Sequence, residues 1–191
     1  EWFSNTNGLG TAWGSTNGTG STGSSSDQQI VDIDGDGDLD VVRNTGYTDG
    51  QLFYHRNNNG LGTSWTTCTI QTTFNNPGPT FLADVDGDGD QDIVTSAGGG
   101  SQINPQIAWL ANDGSCGTWT KTVVVEIAQT GAVVAGDIDG DGDIDIVGRT
   151  VSGIRFYRND GSPSTATWPL GATIATGASP NELRLADMDS D

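Results

Sequence analysis

Apolar residues along this chain come in short runs, such as Phe81-Leu82-Ala83, Thr122-Val123-Val124-Val125 and Leu183-Arg184-Leu185-Ala186, and turn-forming residues close each run. No apolar period near 3.6 residues is sustained, and the strong helix formers Lys, Glu and Leu are scarce, so helices are not expected. With 29 Gly and many Thr, Ser and Asn between the runs, the pattern predicts many short strands joined by tight turns. The fold class expected is all-β.

The runs recur on a fixed beat. An apolar stretch enters a block in which Asp alternates with other residues, and the block empties into a second apolar stretch. The blocks start at Asp32, Asp84, Asp137 and Asp187, which are 52, 53 and 50 residues apart. A second landmark, an aromatic residue three before an Asn, repeats at Trp2, Tyr54, Trp109 and Phe156, and a Trp after a Gly-rich turn repeats at Trp13, Trp65, Trp119 and Trp168. One unit therefore reads as an apolar strand, the Asp loop, a second strand, an aromatic strand, an Asn-x-Gly turn suited to positive φ, and an outer β-branched strand. Four short strands in about fifty residues are the size of a propeller blade. The expectation is a β-propeller-like array of four-stranded blades, about three and a half of them, filling residues 1–191 as one repeat domain. Residues 14–26 are almost all Gly, Ser and Thr, offer nothing to bury, and predict a flexible loop with at most a degenerate edge strand.

Charge sharpens the reading. There are 25 acidic against 7 basic residues, a net charge of −18, which disfavours nucleic acid and anionic membrane surfaces as partners. No apolar run approaches the ~18–20 residues that span a bilayer. Eighteen of the 25 acids lie in the four blocks. Carboxylates packed so densely repel one another unless a cation neutralises them.

Numbered from its first Asp, each complete block has acids at positions 1, 3, 5, 7 and 9 and Gly at 4 and 6. These are Asp32, Asp34, Asp36, Asp38 and Asp40; Asp84, Asp86, Asp88, Asp90 and Asp92; and Asp137, Asp139, Asp141, Asp143 and Asp145. Such a flexible, oxygen-only loop suits calcium, which takes 6–8 oxygens, better than magnesium, which demands a tight octahedron. Gly at position 6 permits the bend that turns the next carbonyl toward an ion. An EF-hand would need a Glu at position 12, where this chain has Arg43, Thr95 and Gly148. Nothing in the spacing of His55 or the cysteines suggests zinc. The fourth block, Asp187, Asp189 and Asp191, has Ser190 at position 4 and no position 9, so its site is incomplete. Three complete calcium sites are expected.

The loop Asp-x-Asp-x-Asp-Gly-x-x-Asp on a blade-sized period resembles the calcium loops of integrin α-chain propellers and, more closely, the bacterial extracellular repeats called FG-GAP or VCBS repeats. The resemblance implies that positions 1, 3, 5 and 9 bind calcium through side chains and position 7 through its carbonyl. It also implies an extracellular or cell-surface location. The Phe-Gly and Gly-Ala-Pro signatures of the integrin version are missing, so integrin-type ligand binding is not implied.

Other candidates keep two readings each. Trp2, Tyr54 and Trp109 suit blade packing or the stacking of a sugar ring. Cys68 and Cys116 suit one disulfide or two unrelated small side chains. Asn17 heads an Asn-Gly-Thr glycosylation pattern that chance alone also produces in so Asn- and Thr-rich a chain. No catalytic residues are assigned, because the chain has one His, one Lys and three Glu, none of them in a repeated loop. The function expected is a calcium-stabilised structural or adhesive module. Carbohydrate binding and a fragment of a polysaccharide-lyase-type propeller are the alternatives. The chain opens on an aromatic strand and closes inside a metal loop, while closed rings need 4–8 blades. Further blades or other copies are expected to complete the assembly.

Overall fold

The structure, a computed structural model, describes residues 3–5, 11, 13–15, 27–45, 50–71, 77–98, 105–117, 119–127, 130–164, 168–177 and 180–187. All regular elements among them are strands. β1 (Phe3–Asn5) and β2 (Trp13–Ser15) pair with each other, so Gly14 and Ser15, at the start of the stretch 14–26, lie in a short strand. The remainder of that stretch, including Asn17, lies outside the described residues.

Three four-stranded antiparallel sheets follow, each in chain order. The first holds β3 (Gln28–Val31), β4 (Asp40–Asn44), β5 (Leu52–Asn57) and β6 (Trp65–Gln71). The second holds β7 (Pro77–Ala83), β8 (Asp92–Ala97), β9 (Gln106–Ala111) and β10 (Thr120–Glu126). The third holds β11 (Thr130–Gly136), β12 (Asp145–Thr150), β13 (Gly153–Tyr157) and β14 (Leu170–Thr176). In all three, the Asp loop is the hairpin connection between the first two strands. Its register is the same each time: Val31 faces Asp40, Ala83 faces Asp92 and Gly136 faces Asp145.

The sheets stack face to face. Ile33, Val42, Leu52, Tyr54, Cys68 and Ile70 of the first unit bury against Ile93, Ala97, Ala108 and Leu110 of the second. The opposite face of the second, with Val94, Ile107, Trp109 and Val124, buries against Val133, Ala135, Ile146, Tyr157 and Trp168 of the third. A strand covered on both faces reads as a continuous apolar run, which is why every residue of β8 is buried. Gly148 in β12 has no Cβ because Ile107 of the neighbouring sheet fills that space. A disulfide joins Cys68 in β6 to Cys116 after β9, with Cα atoms 5.2 Å apart, and so ties the first sheet to the second.

No closed ring is present among the described residues; what the structure holds is an open stack of blade-like sheets. The strand expected over Leu183 to Ala186 is absent, because no strand among the described residues runs beside it to complete a ladder. Leu183 packs instead against the outer face of the third sheet, beside Val134, Val147 and Phe156.

Candidate metal centres

Each loop folds on itself through the same two backbone bonds. The position-6 glycine amide donates to the position-1 carboxylate: Gly37 to Asp32 at 2.9 Å, Gly89 to Asp84 at 3.1 Å and Gly142 to Asp137 at 3.1 Å. The position-7 amide donates to the position-5 carboxylate, from Asp38, Asp90 and Asp143 to Asp36, Asp88 and Asp141, at 2.9–3.0 Å. Both glycines of every loop sit at positive φ, from 71° at Gly35 to 100° at Gly89, a region that side chains with a Cβ avoid. Empty space surrounds them, so backbone conformation alone requires Gly there. Position 6 was legible from the sequence; the equal need at position 4 was not.

Position 9 anchors the loop to the sheet. Asp40, Asp92 and Asp145 are buried, and each accepts two backbone N–H groups. One comes from position 2 of its own loop: Ile33 at 3.2 Å, Val85 at 2.9 Å and Ile138 at 3.0 Å. The other comes from the Asn that ends the aromatic landmark: Asn57 at 2.7 Å, Asn112 at 2.8 Å and Asn159 at 2.8 Å. Burial is the main cause that raises all three carboxyls above the ordinary Asp range, with Asp92 pushed up to about 7, and neighbouring loop acids add to it. Asp86 is raised by the same two causes, burial first and Asp88 second. A bound cation would reverse this balance, since it favours the ionised form.

Carboxylate oxygens converge in each loop. Asp32, Asp34 and Asp36 bring one oxygen each within 4.8 Å of one another, as do Asp84, Asp86 and Asp92, and Asp137, Asp139 and Asp145. These triads can hold a metal ion. Asp32 Oδ1 and Asp84 Oδ1 are buried in their loops and have no hydrogen-bond donor. A buried carboxylate oxygen without a donor is costly, and a cation among the converging carboxylates would satisfy it.

Residues 32–95, 84–148 and 137–191 each match the FG-GAP-like repeat, so the matches together run from the first Asp loop to the last residue. The chain belongs to the FG-GAP-like repeat family. No curated protein matches it. Each match begins at an Asp loop and ends in, or just after, the next one, so two successive Asp loops belong to one FG-GAP-like unit.

The FG-GAP-like units are joined by the landmark Asn. Asn112 Nδ2 donates to Ile33 O in the preceding loop at 2.7 Å, and Asn159 Nδ2 donates to Val85 O at 3.2 Å. The side-chain oxygens of Asn57, Asn112 and Asn159 accept from Gly62, Gly114 and Gly161 at 3.0–3.1 Å. One side chain thus closes its own turn and stitches its sheet to the previous one. This role was hidden in the sequence, although the fixed spacing behind an aromatic residue marked the position.

The aromatic residues before it are packing residues. Tyr54 is 2% exposed and Trp109 1%, which overturns the sugar-stacking reading for both. Tyr54 packs edge-on to Trp119, and Trp109 Nε1 donates to Pro163 O at 3.2 Å. Both faces of the second sheet are covered, so Trp109 has no open side to offer a ligand. Trp2, Asp189 and Asp191 lie outside the described residues, and Asp187 is exposed. His55 is buried between Arg43, whose Nε donates to His55 Nε2 at 3.0 Å, and the Thr67 hydroxyl, 3.0 Å from Nδ1. Burial first, and the Arg43 charge second, push its pKa down to about 4, as suits a neutral packing residue.

Proposed function

We propose that this chain is a calcium-stabilised extracellular repeat module with a structural or adhesive role, holding one calcium ion in each of its three complete Asp loops. The donor-less buried oxygens of Asp32 and Asp84, set among converging carboxylates, carry the reading. The ligands would be the position 1, 3, 5 and 9 carboxylates with the position-7 carbonyl. In the first loop these are Asp32, Asp34, Asp36, Asp40 and Asp38; in the second Asp84, Asp86, Asp88, Asp92 and Asp90; in the third Asp137, Asp139, Asp141, Asp145 and Asp143. Position 9 would serve twice, since a carboxylate oxygen that accepts one N–H keeps a lone pair for a metal. A bound ion supplies positive charge that lets clustered acids stay ionised and fixes the hairpin that sets each sheet's register.

Membership of the FG-GAP-like family supports an extracellular repeat module. Among the described residues no helix is long and apolar enough to cross a membrane. Sites of this exposed, flexible kind suit the millimolar calcium found outside cells. We read the stack as part of a larger propeller, with further blades or another copy covering the third sheet, where Leu170 and Ile174 stand about half exposed. Isolated open faces of this kind are seldom left bare. Calorimetric titration of calcium into the metal-free chain tests the reading: three ions should bind, and Asp84→Ala should leave two. Absence of any binding heat or mass change would contradict it.

A further inference from the structure

The three loops differ in what stands beside them. The residue just before the landmark Asn is Arg56 at the first loop, Ala111 at the second and Arg158 at the third. Arg56 places Nε 2.7 Å from Asp34 Oδ2 and Nη2 3.0 Å from Asp36 Oδ2. Arg158 sits further off, with Nε 3.6 Å from Asp139 Oδ2 and 3.9 Å from Asp141 Oδ2. Ala111 brings no charge. A guanidinium keeps its proton at every accessible pH. It therefore neutralises positions 3 and 5 permanently and repels an incoming divalent ion from the same oxygens.

We propose that Arg56 and Arg158 act as internal counter-ions that grade the calcium affinity of the loops, so that the second loop fills first, the third next and the first last. The grading rests on the reading that the loops hold calcium. Positions 3 and 5 of the first loop are both within direct reach of the guanidinium, the third loop's are at longer range, and the second loop's face no guanidinium among the described residues. Only in the first loop is the converging triad made of positions 1, 3 and 5, with Asp40 outside it. In the other two it is made of positions 1, 3 and 9. With calcium scarce, the arginines would hold the first and third loops closed, whereas the second loop, with no guanidinium beside positions 3 and 5, depends on the ion. One chain would then sense calcium over a wider concentration range than three equal sites would.

The amides of Gly37, Gly89 and Gly142 report each loop separately, because each donates to the position-1 carboxylate. Titrating calcium alone into the isotope-labelled chain and following these resonances should give the lowest midpoint at Gly89, then Gly142, then Gly37. Arg56→Gln should lower the Gly37 midpoint about tenfold, and Arg158→Gln should lower that of Gly142 by less. The reverse substitution, Ala111→Arg, should raise the Gly89 midpoint about tenfold. Equal midpoints that the arginine substitutions leave in place would overturn the grading while the calcium reading stands. A raised Gly37 midpoint in Arg56→Gln would also overturn it, since the guanidinium would then be positioning ligands. No response from any of the three glycines would overturn the grading and the calcium reading together.

Discussion

The second and third sheets are built from nearly the same repeat, yet among the described residues the second has a sheet on both faces and the third has a sheet on one face and only the segment around Leu183 on the other. The consequence is plain in equivalent strands. All of β8 is buried, and the outer strand β10 keeps Val124 buried. β14 is exposed along almost its whole length, with Ile174 at 56%. Trp109 and Phe156 occupy the same place in successive units, but Trp109 packs into the large cluster between the second and third sheets, whereas Phe156 packs into a small one with Val134 and Val147, bordered by Phe81, Ile154 and Leu183. A repeat of this kind cannot complete its core alone, because each sheet supplies half of two interfaces. Stability is then set by neighbours, as in other repeat arrays.

Substitution should expose the contrast. Trp109→Ala, at the doubly covered site, should cost about 3–5 kcal/mol in chemical denaturation. Ile174→Ser on the open strand should stay within about 0.5 kcal/mol. Equal costs at the two positions would mean that the third sheet is as well covered as the second. The next effect is the cross-link. Cys68 and Cys116 enclose 48 residues of sequence separation, for which loop-closure entropy gives about 4 kcal/mol. Replacing both with Ser should lower the melting temperature and loosen the first sheet from the second while leaving the third sheet's amides protected from exchange. Smaller again is the Asn stitch. Asn112→Ala removes donors to Ile33 O and Gln91 O and the acceptor for Gly114, and should cost about 1–3 kcal/mol.

The net effect of pH is smaller than the sum of its contributions, because the raised aspartates and the lowered His55 oppose each other. Asp92, raised to about 7 against ~3.9 unfolded, stabilises the metal-free fold below about pH 4 and loses that contribution as pH climbs to about 7. Asp40, Asp86 and Asp145 are raised in the same direction. His55, lowered to about 4 against ~6.5 unfolded, contributes fully above about pH 6.5 and loses that contribution as pH falls toward 4. Saturating calcium would keep the aspartates ionised and leave the His55 trend alone. Melting temperature should therefore rise more steeply between pH 4 and 6.5 in calcium than in chelator. Parallel curves would mean that no ion reaches the buried carboxylates.

Much of this molecule is legible in the sequence because it is local. The Asp loops, the strand order around them and the turn glycines follow from residues within one unit, and all three sheets take that order. What depended on the next sheet was not legible. Tyr54 and Trp109 look alike whether they face solvent or a neighbour, and only stacking shows that they are buried. His55 reads as a lone histidine until Arg43 and Thr67 close around it from adjacent strands. Arg56 lies 20 residues beyond Asp36 in sequence, and only the β4–β5 ladder carries it back to the loop. The strand expected over Leu183 to Ala186 failed for a related reason, since a strand exists only beside a partner.

Calcium in the loops is tested most directly by anomalous diffraction from crystals grown with calcium and measured at long wavelength. Three peaks are expected, one each among the carboxylates of Asp32–Asp40, Asp84–Asp92 and Asp137–Asp145. A map of the same quality with no peak at any of the three loops would contradict the calcium reading.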